Sequence, residues 1–172
     1  MQIAPFKIRI YAFLIDYIVI VLYGVFVVGT ISFIFRPYIA PLFSTSPVTA
    51  EITGFLMITL PVSVYFIVCE SSSWQGTIGK RMMKIRVVNK EGRRIGIFQS
   101  IIRTGAKFLP WEVAHFGIWR LMLPSNFSEM TIFIILNGVN VAILLYLITP
   151  FTNRYKKNIY DYIAGTKVIW NK

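Results

Sequence analysis

The sequence predicts an all-α integral membrane protein: a four-span helical bundle with an amphipathic interfacial helix and a small cytoplasmic β element. Two observations carry this fold class. The hydrophobic residues, 56% of the chain, are gathered into long blocks rather than spread over short periodic faces, the pattern of segments that cross a bilayer. The basic residues fall before, between and after those blocks in an arrangement that tracks topology.

The first block runs from Ile10 to Phe35, 26 residues with one charge, Asp16. As a helix it is roughly 39 Å long, against about 30 Å of hydrocarbon. Lys7 and Arg9 precede it as they would a secretory signal, but the run is far longer than a signal's apolar core and no small-residue cleavage site follows. The segment is therefore expected to be retained. Asp16 lies roughly 9 Å beyond the start of the run. A carboxylate at that depth costs about 2.5–3.5 kcal/mol and normally faces protein or water.

The second block, Ile52 to Cys69, holds no charge in 18 residues. Pro61 in its middle frees the carbonyl of Met57 and predicts a kink. After it comes a basic segment, residues 70–107, with Lys80, Arg81, Lys84, Arg86, Lys90, Arg93, Arg94, Arg103 and Lys107. Lys84–Val88 is strand-like, Asn89–Gly92 is turn-like, and partial alternation resumes over Arg94–Phe98, which predicts a short hairpin. From Phe98 to Leu109, apolar Ile101, Ile102, Ala106 and Leu109 predict an amphipathic helix at the interface.

A third block, Phe108 to Leu123, is short and carries Glu112, His115 and Arg120, whereas Thr131 to Pro150 has no charge in 20 residues. The loop from Arg36 to Glu51 has one basic residue. The segments flanking the first span, following the second and following the last hold 16 of the 18. The positive-inside bias then puts both termini in the cytoplasm of a cell-membrane protein. A cytoplasmic loop near Lys107 and a cytoplasmic tail, residues 151–172, require Phe108–Leu123 to cross. The chain reads as one membrane domain, residues 1–172, with spans about 10–35, 52–69, 108–123 and 131–150. In the last span Asn137 and Asn140, beside Gly138, predict close packing and an interhelical hydrogen bond.

The net charge of +11 tracks the membrane rather than a soluble surface, so anionic lipid headgroups are the expected partner and nucleic acid is not. A homo-oligomer or another membrane protein is a further expected partner. The lone Cys69 forms no internal disulfide. In WQGTIGKR the glycines Gly76 and Gly79 are too close for a phosphate loop, and Arg81 stands where a Ser or Thr is needed. Glu112 and His115, three apart, share a helix face. With one histidine in the chain they are a polar pair satisfied within the bundle or part of a proton relay, rather than a metal site. No cofactor is expected, and no nucleophile and base pair points to an enzyme.

Arg9 and Asp16 are seven residues apart, aligned on one helix face but about 10.5 Å distant along the axis. Asp16 therefore needs a partner on another element, and Arg103 or Lys107 on the interfacial helix is the expected one. Asp161, among Tyr160, Tyr162 and Gly165, is placed to cap a turn or helix end or to tie the tail to Arg9 or to the turn at Lys80 and Arg81.

An arginine opening the first span, an aspartate inside it and a late aspartate, here Arg9, Asp16 and Asp161, together resemble the RDD family of membrane proteins. The likeness is carried by KIRIYAFLIDYIVI, by SSSWQGTIGKRMMKIRVV and by NIYDYIAGTKVIW. It implies a small polytopic protein, mostly of bacterial membranes, with a role often taken to be transport. Two functions are consistent with these residues. The leading one is transport of a small solute or cation, with proton coupling through Asp16 and with Arg9 and Asp161 organising access. The other is a non-transporting scaffold or assembly factor in which Arg9, Asp16, Arg103 and Asp161 lock helix packing. The absence of a visible inverted repeat or paired broken helices favours the second.

Overall fold

A computed structural model describes residues 2–171; Lys172, counted above with the tail's charge, lies outside them. Three helices are long and apolar enough to cross a membrane: α1 (Phe6–Ile34), α2 (Pro47–Ser71) and, later in the chain, Glu129–Phe151. Between α2 and that last span lie the five-residue helix α3 (Ile78–Met82), strand β1 (Ile85–Asn89) and helix α4 (Ile97–Met122). The last span is α5; helix α6 (Ile159–Ile163) and strand β2 (Thr166–Trp170) follow.

The spans are inside-out by the standards of a soluble protein. Phe26, Phe33 and Ile34 on α1 and Phe133 and Ile134 on α5 are exposed, whereas Asp16, Glu70, Arg103 and Asp161 are each at most 2% exposed. Apolar side chains facing outward suit lipid, and the ionisable groups turn inward, where they can find partners.

Two prolines interrupt helical hydrogen bonding, and in both places a tyrosine from a neighbouring span takes up the freed carbonyl. Pro61 in α2 cannot bond Met57 O, which instead accepts from the Tyr23 hydroxyl of α1 at 2.8 Å. Pro110 in α4 leaves Ala106 O, which accepts from the Tyr146 hydroxyl of α5 at 2.6 Å. A π-helical turn, Phe55–Thr59, accompanies the first of these prolines.

Three expectations are corrected here. The amphipathic stretch and the charged apolar block after it are one continuous 26-residue helix, α4, because Pro110 is accommodated instead of ending the helix. The hairpin does not form. β1 pairs antiparallel with β2, Val87 opposite Val168, while residues 93–96 turn the chain into α4. Alternation marks a strand but does not name its partner. In α5 the expected interhelical bond is replaced by a local one: Asn137 bonds Phe133 O of its own helix at 2.8 Å, and Asn137 and Asn140 both face outward.

The sheet gathers distant parts of the chain. Ala4 N–H donates to Val168 O at 3.1 Å and Trp170 N–H to Gln2 O at 3.0 Å, so residues 2–4 run beside β2. Ala4, Ala12, Ile85, Val87, Ile95 and Val168 form one buried apolar cluster beneath it. Gly165, at φ +62°, supplies the left-handed step that ends α6 and starts β2.

Candidate functional site: a buried charge network

The network begins with α1, which brings two charged side chains to different partners. Arg9 Nη2 meets Asp161 Oδ2 at 2.6 Å, and its Nη1 donates to the carbonyl of Lys156. Lys156 sits at φ +51°, a left-handed backbone uncommon for a residue with a side chain, and this turn carries the carbonyl that Arg9 bonds.

Asp161 is the centre of the network. As the third residue of α6 it closes a capping box with Asn158, its Oδ2 accepting from Asn158 N–H at 2.9 Å. Its Oδ1 accepts from Arg103 Nη1 and, at 3.1 Å, from the Thr166 hydroxyl. Burial alone would raise its pKa, but the guanidiniums of Arg103 and Arg9, with the Asn158 N–H, outweigh it and hold the carboxyl well below the usual range.

A depressed folded-state pKa adds stability above the unfolded value of about 3.9, and that stability is lost as pH falls toward the folded value. Melting of the detergent-solubilised protein is therefore expected to be insensitive to this group from about pH 5 to 8 and to worsen below about pH 4. Asp161→Asn should lower the neutral-pH melting temperature and remove its share of the acid-side loss. An unchanged acid limb in that variant would count against the assignment.

Arg103 carries the network onward. Its Nε donates to Glu70 Oε2 at 2.8 Å, and Lys80 Nζ meets Glu70 Oε1 at 2.9 Å. The Arg103 guanidinium also lies over the Tyr160 ring, 4.8 Å from its centroid. Arg9, Asp161, Arg103, Glu70 and Lys80 thus alternate in sign and join α1, α6, α4, α2 and α3.

Asp16 lies outside this alternation, and its expected ion pair with Arg103 or Lys107 is not formed: Arg103 is turned to Glu70 and Asp161. Both Asp16 oxygens are instead held by neutral donors. Oδ1 accepts from the Tyr65 hydroxyl and from Gly79 N–H, each at 2.9 Å, and Oδ2 accepts from Thr77 Oγ1 at 2.5 Å. Thr77 immediately precedes α3, so the carboxylate docks α1 onto the turn that opens that helix. Gly79 makes the contact sterically feasible, since a Cβ there would lie 2.0 Å from Ala12 O and 3.0 Å from Asp16 Cγ.

Glu112 and His115 stand apart, farther along α4. Their side chains approach to 3.7 Å, and Glu112 Oε1 accepts from Thr59 of α2 at 2.7 Å. Arg120 meets Glu51 at 2.7 Å. Among the described residues no three His, Cys, Asp or Glu side chains converge as metal ligands would. Glu70, Tyr65 and Thr77 were not among the expected site residues. Glu70's signal was its place at the end of an uncharged span, immediately before the basic segment.

Beside the network lies a cavity of about 270 Å³ bordered by Arg9, Asp16, Lys80, Arg103 and Lys107. A family model described as the RDD family matches residues 3–165, a span that takes in Arg9, Asp16 and Asp161. The chain is also similar to the uncharacterized protein YxaI of Bacillus subtilis (strain 168), at 29% identity over 125 residues, covering 66% of this chain and 82% of that protein. No solved structure matches.

Proposed function

The chain belongs to the RDD family, and from that premise we propose that it is a four-span protein of the cell membrane, both termini cytoplasmic, acting as a non-transporting scaffold or assembly module. The pairing of β1 with β2 and of residues 2–4 with β2 supports the topology. Segments in one small sheet lie on one side of a bilayer. Two crossings, α1 and α2, then separate residues 2–4 from β1, and α5 needs α4 to cross with it before β2. At 26 residues α4 is about 39 Å long, enough to span. The basic residues clustered on the sheet side make that side cytoplasmic by the positive-inside bias.

The observation that carries the scaffold reading is the state of Asp16. A carrier's coupling carboxylate must exchange protons or ions, whereas this one is held by three protein donors, with both oxygens engaged. Arg9, Asp161, Arg103 and Glu70 likewise spend their charge on one another and lock the spans to the cytoplasmic elements. The reading includes no enzymatic step. Its partners are anionic headgroups and a second membrane protein, of this kind or another.

Transport of a small solute or cation is the second reading, favoured by one observation: Asp16 borders the cavity. Reconstitution into liposomes with a trapped pH dye, under imposed Na⁺, K⁺ and proton gradients in turn, separates the two. The scaffold reading expects no flux above empty liposomes, and a lower melting temperature for Asp16→Asn. A flux abolished in Asp16→Asn while its melting stays unchanged would replace it with transport.

A further inference from the structure

We propose that the cavity between α1 and α5 binds a phosphate group, with Lys107 as its principal ligand. The cavity wall is strongly unbalanced in charge. Arg9, Lys80, Arg103 and Lys107 border it and Asp16 alone opposes them, because Glu70 and Asp161 lie behind the arginines and lysine that they pair with. Asp16 is a weak opponent, its oxygens being turned to Tyr65, Thr77 and Gly79.

Lys107 differs from the other three cations. Among the described residues no carboxylate or hydrogen-bond acceptor meets its ammonium. It rests on the Phe66 ring, 3.4 Å from the centroid, and near that of Phe108 at 5.4 Å. Aromatic faces stabilise an ammonium without using its N–H donors. The donors are left for an incoming anion, and Lys80 and Arg103 border the same space. Lys107 is half-buried and has no directly bonded counter-charge, and a bound phosphate supplies one.

The remaining wall is mostly apolar, with Asn158, Tyr146 and Tyr160 as its polar members. Phe6, Ile10, Phe13 and Leu147 border the cavity, and Ile10, Phe13 and Leu147 are among the exposed residues of α1 and α5. An opening that is cationic inside and apolar at its mouth suits a phosphate carried on an acyl glycerol. A volume of about 270 Å³ is close to the lower bound of ligand pockets, about 300 Å³, and suits a headgroup rather than a whole lipid. The inference deepens the scaffold reading by giving an anionic headgroup a defined site, and it rests on that reading's membrane placement.

Binding to the detergent-solubilised full chain tests it, with dioleoylphosphatidylglycerol in mixed micelles as one probe, dioleoylphosphatidylcholine as control and inorganic phosphate at matched ionic strength as the other probe. Saturable binding of phosphatidylglycerol, weakened about ten- to hundredfold in Lys107→Gln, is expected. Leu147→Trp, which fills the mouth without touching the cations, should weaken the lipid and spare inorganic phosphate. Saturable binding of inorganic phosphate that Lys107→Gln weakens, with no preference for the lipid, would assign the same site to a free phosphate. No saturable binding of either probe, or equal binding by wild type and Lys107→Gln, would overturn the proposal. Lys107 lies outside the charge lock, so Lys107→Gln should melt with the wild type. A failure here therefore leaves the lock standing, and a failed lock would show as wild-type melting of Arg103→Met instead.

Discussion

Arg103→Met is expected to destabilise the protein by about 3 kcal/mol, near the low end for breaking a buried pair, because each of two buried carboxylates loses one of its two cationic partners. Arg103 serves two carboxylates at once, Glu70 through Nε and Asp161 through Nη1, in a site 2% exposed. Removing it leaves Lys80 for Glu70 and Arg9 for Asp161 and breaks the connection between the two halves. Arg103→Lys should recover little, because an ammonium cannot reproduce the two-directional fork of a guanidinium. Glu70→Gln added to Arg103→Met should recover part of the loss, since Glu70 would otherwise stay buried as a charge with Lys80 as its remaining partner. Melting of the purified variants in detergent measures all three. A wild-type melting temperature for Arg103→Met would dismiss the lock.

Gly79→Ala is expected to be as damaging, at about 3 kcal/mol or more, for a steric reason that charge plays no part in. The added methyl would lie 2.0 Å from the Ala12 carbonyl oxygen, a contact with backbone that no rotamer relieves. Helix α3 would have to retreat from α1, lengthening the 2.9 Å bond from Gly79 N–H to Asp16 and the Thr77 bond beside it. Gly138→Ala is the control. Nothing lies within 4 Å of its added methyl, and alanine's helix preference of about 0.8–1 kcal/mol should leave that variant as stable as the wild type or slightly more so. Equal melting of the Gly79→Ala and Gly138→Ala variants would contradict the tight α1–α3 contact.

How far the sequence could be read depends on the kind of signal each feature leaves. The uncharged spans announce themselves, because lipid demands unbroken apolar runs and the chain supplies them at α1, α2 and α5. Arg9, Asp16 and Asp161 stood out as charges in apolar or aromatic surroundings. The partners of Asp16 did not, since a tyrosine, a threonine and a backbone N–H carry no charge. Reasoning from charge and depth pointed to Arg103 and Lys107 and missed neutral donors that satisfy a carboxylate equally well. Glu70 stayed hidden for the opposite reason: beside so many bases an acid at a span's end reads as surface. The strand at Ile85–Asn89 was legible, but its pairing with a strand 77 residues or more downstream was not, because no local pattern names a strand's partner.

The sheet that joins Gln2, β1 and β2 also sets the order in which the molecule can be completed. Ribosomes deliver α1, α2, α4 and α5 before they deliver Asp161 and β2, so a nascent chain holds Arg9 and Arg103 without their shared carboxylate until translation has passed the last span. Chains cut short there leave Arg9 without its carboxylate, Arg103 with Glu70 as its remaining carboxylate, and β1 without its paired strand. The tail is therefore the last piece of the fold: its docking pairs β1 and gives Arg9 and Arg103 their shared carboxylate.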